Sequence, residues 1–209
     1  MKGVANLQDV LAIEAQGQPA DLPSSTYEMI CRGAAIDPSA PALSYFATAD
    51  DYANAKHWTY SELLRDITRT ANMLSRLGVQ RGTVVAYVLP NLPETHCVIW
   101  GGEAVGIVCA INPMLEGEAI GQLLKASGAA VLVTLAPFPG TDVWQKVKPV
   151  LHKVPSLRHV VLVDLAGECS PQHEPVGESH AVASQIEFHD FATAVARESG
   201  EALCTAQQM

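Results

Sequence analysis

The sequence lacks a G-x-G-x-x-G after a strand, a G-x-x-x-x-G-K-[ST], an H-E-x-x-H and a G-x-S-x-G. The familiar local signals for dinucleotide, phosphate, zinc and serine chemistry are therefore all missing. Positive charge is scarce as well: 13 Lys and Arg face 22 Asp and Glu, a net charge of −9. A chain with that balance repels a phosphate backbone, which argues against nucleic acid as a partner. The five cysteines are odd in number and scattered, with no C-x-x-C, as expected of reduced thiols in a cytoplasmic protein. No charged-then-apolar opening resembles a signal peptide, and the most apolar stretch is interrupted by Pro90, Pro93, Glu94 and Glu103 before it could span a bilayer.

What is present is a core's worth of apolar residues, 48% of 209, enough for one domain or slightly more. Ser25-Thr26-Tyr27-Glu28 has the form of a capping box and predicts a helix to about Ala35, stopped by Asp37-Pro38. Leu43 to Ala47 alternates as a strand, residues 49 to 57 make a polar loop, and a return strand completes a hairpin. Thr59-Tyr60-Ser61-Glu62 repeats the capping box, and Leu63, Leu64, Ile67, Ala71, Leu74 and Leu77 follow at helical spacing until Gly78.

Strand and helix then alternate. Short Val- and Ile-rich runs predict strands at 84–89, 107–111, 130–134 and 160–163, with helices at 92–105, 117–126 and 142–152 between them. Strands that are apolar throughout belong in a parallel sheet covered on both faces, so the predicted fold class is a doubly wound, mostly parallel α/β sheet. The 92–105 helix carries Cys97, Val98, Ile99, Trp100, Ala104 and Val105 and reads as buried nearly all round, Trp100 included. Gly101, Gly102 and Gly106 predict close helix packing, the alternative being a glycine surface against a ligand.

The composition changes near Leu165. Residues 165–209 hold seven acids and one base, Arg197, and Gly, Pro, Ser, Glu and His dominate to about Phe188. An irregular segment is predicted there, followed by a short helix near 190–198. The domain organisation is accordingly an N-terminal segment, 1–22, an α/β unit, 23–164, and an acidic segment, 165–209.

Individual reactive residues offer little. Cys169, His173 and His180 could meet around a metal, but no fourth ligand is evident and solvated loop side chains explain them better. Cys97 and Cys109 lie in apolar runs, where a thiol acts as a small hydrophobe. Glu94 complements the amino end of its helix, and His96 beside it has no assigned role. Only Asn91, Asn112 and Thr134 are polar at predicted strand ends. No residue is assigned a catalytic, cofactor-binding or metal-binding role.

The order of features from Trp58 to Thr134 resembles the N-terminal part of the AMP-forming acyl-CoA synthetases, the adenylate-forming superfamily. The matching stretches are Thr59 to Leu63, Leu77 to Val84 with Thr83 where the family usually has Asp, Pro90 to Glu94, Asn112-Pro113, and Leu124 to Thr134. With its flanks the similarity spans about residues 23–164. The resemblance implies an enzyme that uses Mg·ATP to make an acyl-adenylate from a carboxylic, fatty-type acid and passes the acyl group to coenzyme A. The family's Gly/Ser/Thr-rich phosphate loop, its adenine and ribose motifs and its C-terminal lysine have no counterpart in this chain. The segment around Phe191 is similar to the one preceding that loop, so the chain is expected to be an N-terminal fragment that is inactive and cofactor-free alone. A stand-alone binding or regulatory module and an unrelated small α/β enzyme are the rival expectations.

Overall fold

The computed structural model describes residues 4–17, 20–165 and 186–204. Among these, the chain forms α1 (Leu7–Glu14), α2 (Thr26–Ile36), β1 (Pro41–Tyr45), β2 (Lys56–Thr59), α3 (Tyr60–Arg76), β3 (Val84–Val88), α4 (Pro93–Val105), β4 (Ile107–Ala110), α5 (Gly117–Ser127), β5 (Val131–Leu135), α6 (Val143–Val147), β6 (His159–Val163), β7 (Glu187–Asp190) and α7 (Phe191–Ala196). Strands β1 and β2 pair as an antiparallel hairpin, and the other five make one wholly parallel sheet in the order β4-β3-β5-β6-β7.

The four predicted strands fall where the apolar runs place them, and for the inner strands β5 and β6 burial explains why. All five residues of β5 are buried, as are four of the five in β6. A strand in that position can carry no polar alternation. Two groups of helices supply the covers, α3 packing with α4 and α7, and α5 packing with α6. The core runs from Leu74 on α3 through Val85, Val88, Leu132 and Val160 to Leu124 and Leu151.

The second capping box forms as predicted. The Thr59 hydroxyl accepts from the Glu62 amide, while the Glu62 carboxylate accepts from the Thr59 amide at 2.8 Å. The first is only half formed: Ser25 Oγ accepts from the Glu28 amide, but the Glu28 carboxylate turns to the hydroxyl and amide of Ser24 and to Arg32. Those hydrogen bonds hold the Glu28 carboxyl at about 2, the Ser24 hydroxyl contributing most.

Four expectations require correction. The predicted helix at 142–152 is α6 followed by a 3-10 segment over Lys148–Lys153, because Pro149 lacks the amide an α-helix would use. The end of the predicted irregular segment is a strand: Glu187–Asp190 pairs in parallel with β6. The sequence EFHD carries no apolar run because an outer strand needs a partner's hydrogen bonds, not burial on both faces. The N-terminal segment, for which no element was predicted, contains α1, capped by Asn6 and Asp9, none of whose residues is buried.

The fourth correction concerns α4. Its buried residues are Thr95, Cys97, Val98, Gly101 and Gly102, which lie on one face; Trp100 is half-buried and Glu103 exposed. The apolar composition therefore does not mean burial all round. Trp100→Ala is expected to cost about 1–2 kcal/mol, short of the about 3–5 kcal/mol of a fully enclosed ring. Urea unfolding of both proteins measures the difference, and a loss of the larger size would mean that the indole is enclosed.

The segment after α7 is tied back to α3. The Asn72 amide donates to the Ser199 and Ala202 carbonyls at 2.8 and 2.9 Å, and its oxygen accepts from the Cys204 amide at 2.8 Å. Arg76 makes a two-pronged contact with Glu198, whose side chain is only 3% exposed. Residues 198–204 are thereby joined to the same unit as α3 by a polar network that satisfies three backbone groups at once.

Candidate functional site

Ligands of open parallel sheets lie beyond the carboxyl ends of the strands, where successive crossover helices leave on opposite faces. In this sheet that place lies between β3 and β5: the chain leaves β3 through α4 for one edge, and leaves β5 through α6 for the other. A cleft of about 740 Å³ opens there. Each wall is a strand exit. Pro90 follows β3, Pro113 and Met114 follow β4, Leu135 ends β5 and Phe138 to Asp142 lead from it to Val143 at the start of α6, and Leu165 follows β6.

The chemistry of this lining is one-sided. Prolines, Met114, Leu135, Phe138, Val143 and Leu165 are apolar, and the side-chain polarity comes from Thr141 and Asp142. Lys146 lies one turn beyond Asp142 and pairs with its carboxylate at 2.9 Å. No Lys or Arg lines the cleft among the described residues. A triphosphate needs cationic groups and clustered backbone amides, so the residues present do not fit one. They fit an apolar chain, with Met114, 81% exposed, at the rim.

Two of the three polar residues predicted at the strand ends, Thr134 and Asn112, make hydrogen bonds within the scaffold. Thr134 Oγ1 donates to the Val88 carbonyl at 3.2 Å, tying β5 to β3 inside the core. Asn112 Oδ1 accepts from the Met114 amide at 2.9 Å and so shapes the turn that carries Pro113. Thr95, which the sequence did not single out, donates to the Pro90 carbonyl at 2.7 Å and fixes the β3 exit. Asn91 and His96 come together elsewhere, in a groove of about 390 Å³ between the hairpin residues Leu43–Phe46 and the start of α4. Glu94 lies in the first turn of α4, where a carboxylate complements the helix dipole.

Two of the cysteines, Cys97 and Cys109, lie in or against the core. Cys97 is buried in the core, and burial, reinforced by the charges of Asp66 and Glu94, pushes its thiol up to about 12. Only a thiolate attacks, so Cys97 is expected to stay unmodified by iodoacetamide at pH 8 while the chain is folded, as mass spectrometry would show. Cys109 on β4 is half-buried and packs against the core. Cys169, His173 and His180 lie outside the described residues.

Among the described residues, the metal-ligating side chains that do converge are His159 and Glu187, which open β6 and β7, and His189, two residues further along β7; none of them lines the cleft. No local motif marks them in the sequence, since strand pairing alone brings residue 159 to residues 187 and 189. Burial first, and the neighbouring His189 second, hold the His159 imidazole below its ordinary value.

Comparison with known proteins follows this geometry. The family model of the AMP-binding enzymes matches residues 31–202. A marinolic acid–CoA ligase of Pseudoalteromonas sp. (strain SANK 73390) is 30% identical over 169 residues, covering 79% of this chain and 25% of the ligase. A crotonobetaine/carnitine–CoA ligase of Salmonella arizonae is 40% identical over 84 residues, 40% of this chain and 16% of the ligase. Among solved structures, acetoacetyl-CoA synthetase from Streptomyces lividans superposes with a TM-score of 0.65 at 25% identity, over 84% of this chain and 25% of that one. The matched stretch thus spans a quarter or less of the length of such relatives. A family model that matches most of the chain, on a parallel sheet shared with a solved synthetase, establishes that this chain belongs to the AMP-binding enzyme family.

Proposed function

We propose that this chain is the amino-terminal part of an AMP-forming acyl-CoA synthetase and that its carboxyl-end cleft forms one wall of the acid-binding pocket. The whole protein is then an acid–thiol ligase working in the cytoplasm on a carboxylic, fatty-type acid. The carboxylate attacks the α-phosphate of Mg·ATP, giving an acyl-adenylate and pyrophosphate. The thiol of coenzyme A next attacks the acyl carbonyl, and AMP leaves. Residues described here take neither step; they shape the site and exclude water from the acyl chain.

The observation that carries this reading is the family match over residues 31–202, joined to relatives named as coenzyme A ligases. The apolar lining supports the acyl assignment, because a pocket with one carboxylate and no cation favours a hydrocarbon over an anion. The measurement is acid-dependent pyrophosphate release with coenzyme A present, made on a protein that carries the further sequence of its relatives. Thioester formation from carboxylic acids is the expected result, and ATP turnover without any acid dependence would refute the proposal.

A further inference from the structure

Strand pairing sets His159 on β6 opposite Glu187 on β7, and His189 follows two residues later on the same face of β7. Three ligating atoms meet as a result. His159 Nδ1 lies 3.1 Å from His189 Nε2 and 3.6 Å from a Glu187 carboxylate oxygen, and that oxygen is 3.9 Å from His189 Nε2. A point equidistant from atoms so spaced lies about 2.1 Å from each, which is the length of zinc bonds to imidazole nitrogen and carboxylate oxygen.

We propose that His159, Glu187 and His189 form a binding site for a divalent transition-metal ion of the zinc class, with its fourth position open to water. Two nitrogens and one oxygen select against magnesium and calcium, which take oxygen ligands. The two imidazoles are largely enclosed, at 19% and 23% exposure, while Glu187 is 71% exposed. Two fixed donors and one that can swing inward allow an ion to enter from solvent. The net charge of −9 favours cations in addition.

The same two nitrogens can instead share a hydrogen bond, one ring donating to the other. Binding an ion displaces that hydrogen: the donating ring takes its other tautomer, with no net proton lost, and both nitrogens turn lone pairs to the metal. An ion there would clamp β7, one of the two edge strands, to β6. Because β6 ends at Val163 and β7 begins only at Glu187, the link would join elements far apart in sequence. Its expected role is structural, and none of its residues lines the cleft.

The test uses the 209-residue chain made without a polyhistidine tag and stripped with EDTA. Titration with Zn²⁺ by calorimetry, and with Co²⁺ by visible absorption, is expected to give one ion per chain with a Kd of about 10 µM or tighter and a cobalt spectrum of nitrogen–oxygen ligation. Saturating Zn²⁺ should raise the Tm by about 3 °C or more, and Mg²⁺ should not. His189→Ala and Glu187→Gln should each weaken binding at least about 10-fold. The exposed Glu187→Gln keeps the test valid should a histidine variant fail to fold, and His152→Ala should leave the affinity unchanged. No binding at 100 µM Zn²⁺ would overturn the proposal. So would binding undiminished in the His159→Ala/His189→Ala pair, or binding lost instead on replacing Cys169 and His173.

Discussion

Gly101→Val should prevent stable folding of the chain, and Gly101→Ala should lower its stability by about 1–3 kcal/mol, the cost of forcing extra volume into a packed core. A Cβ at residue 101 would meet the Ile67 carbonyl oxygen at 2.9 Å, the Ala71 amide nitrogen at 3.0 Å and Thr70 Cβ at 3.1 Å. Two of those three atoms are backbone of α3 and cannot turn aside; the helices must separate. Helix propensity works the other way, since alanine is favoured over glycine by about 1 kcal/mol in a helix interior. The steric term should win, because separating α3 from α4 loosens a contact that also buries Ile67, Ala71 and Val98. Gly102 presents a different case, as its nearest obstacle is a Val108 methyl at 2.5 Å, a side-chain atom that can shift. Thermal or urea unfolding of Gly101→Ala decides the matter. A neutral or stabilised protein would mean that α4 does not approach α3 this closely and would reopen the glycine face as a surface for a ligand.

The glycines illustrate what the sequence makes legible. Small residues on an apolar helix predict that another backbone comes near, and α3 does so at Gly101. Which face of α4 that is could not be read, because Ile99 and Trp100 are as apolar as Cys97 and Val98 although they are only half-buried. Composition reports how much apolar surface a helix has, and packing decides which part is covered. The same distinction separates β5 from β7. Burial on both faces writes itself into β5, where four of five residues are aliphatic and the fifth, Thr134, donates its hydroxyl hydrogen to the Val88 carbonyl, whereas β7 is held by backbone pairing and carries no such run. Strand order was also beyond reach: nothing in the spacing says that β5 inserts beside β3 and not beside β4. The cleft follows from that order. Its prolines and Phe138 sit in turns of the sequence with no motif, and they become one surface only because four strand exits lie side by side. His159, Glu187 and His189 are hidden for the same reason. The helix α1 was within reach, since Asn6 and Asp9 form a capping box with less common members.

The 209-residue chain by itself is expected to release no pyrophosphate in the presence of ATP, coenzyme A and fatty acids, and to bind Mg·ATP with a Kd weaker than about 100 µM, which corresponds to less than about 5.5 kcal/mol of binding free energy. Tight triphosphate binding draws on clustered backbone amides, a bound divalent ion and cationic side chains acting together. The cleft at the strand ends offers instead apolar side chains, Thr141 and the Asp142 carboxylate, and the chain as a whole repels anions through its net charge of −9. Lys146 is already paired with Asp142, so among the described residues no free cation faces the cleft, and desolvating a triphosphate there would cost more than the cleft's contacts return. The hydrocarbon chain of an acid whose carboxylate stays in water faces no such penalty there. On the proposed reading, modest binding of a fatty-type acid to the isolated chain is expected to survive, while nucleotide binding and both chemical steps are expected to need the sequence that the coenzyme A ligases possess over the remainder of their length. Calorimetry with Mg·ATP and a pyrophosphate-release assay, run in parallel on the 209-residue chain and on a protein extended to the length of its relatives, separate the possibilities. Activity confined to the extended protein is the expected outcome. Stoichiometric micromolar ATP binding by the short chain, or turnover by it that a single substitution abolishes, would place a nucleotide site among residues assigned here to the scaffold and would refute the division of labour proposed.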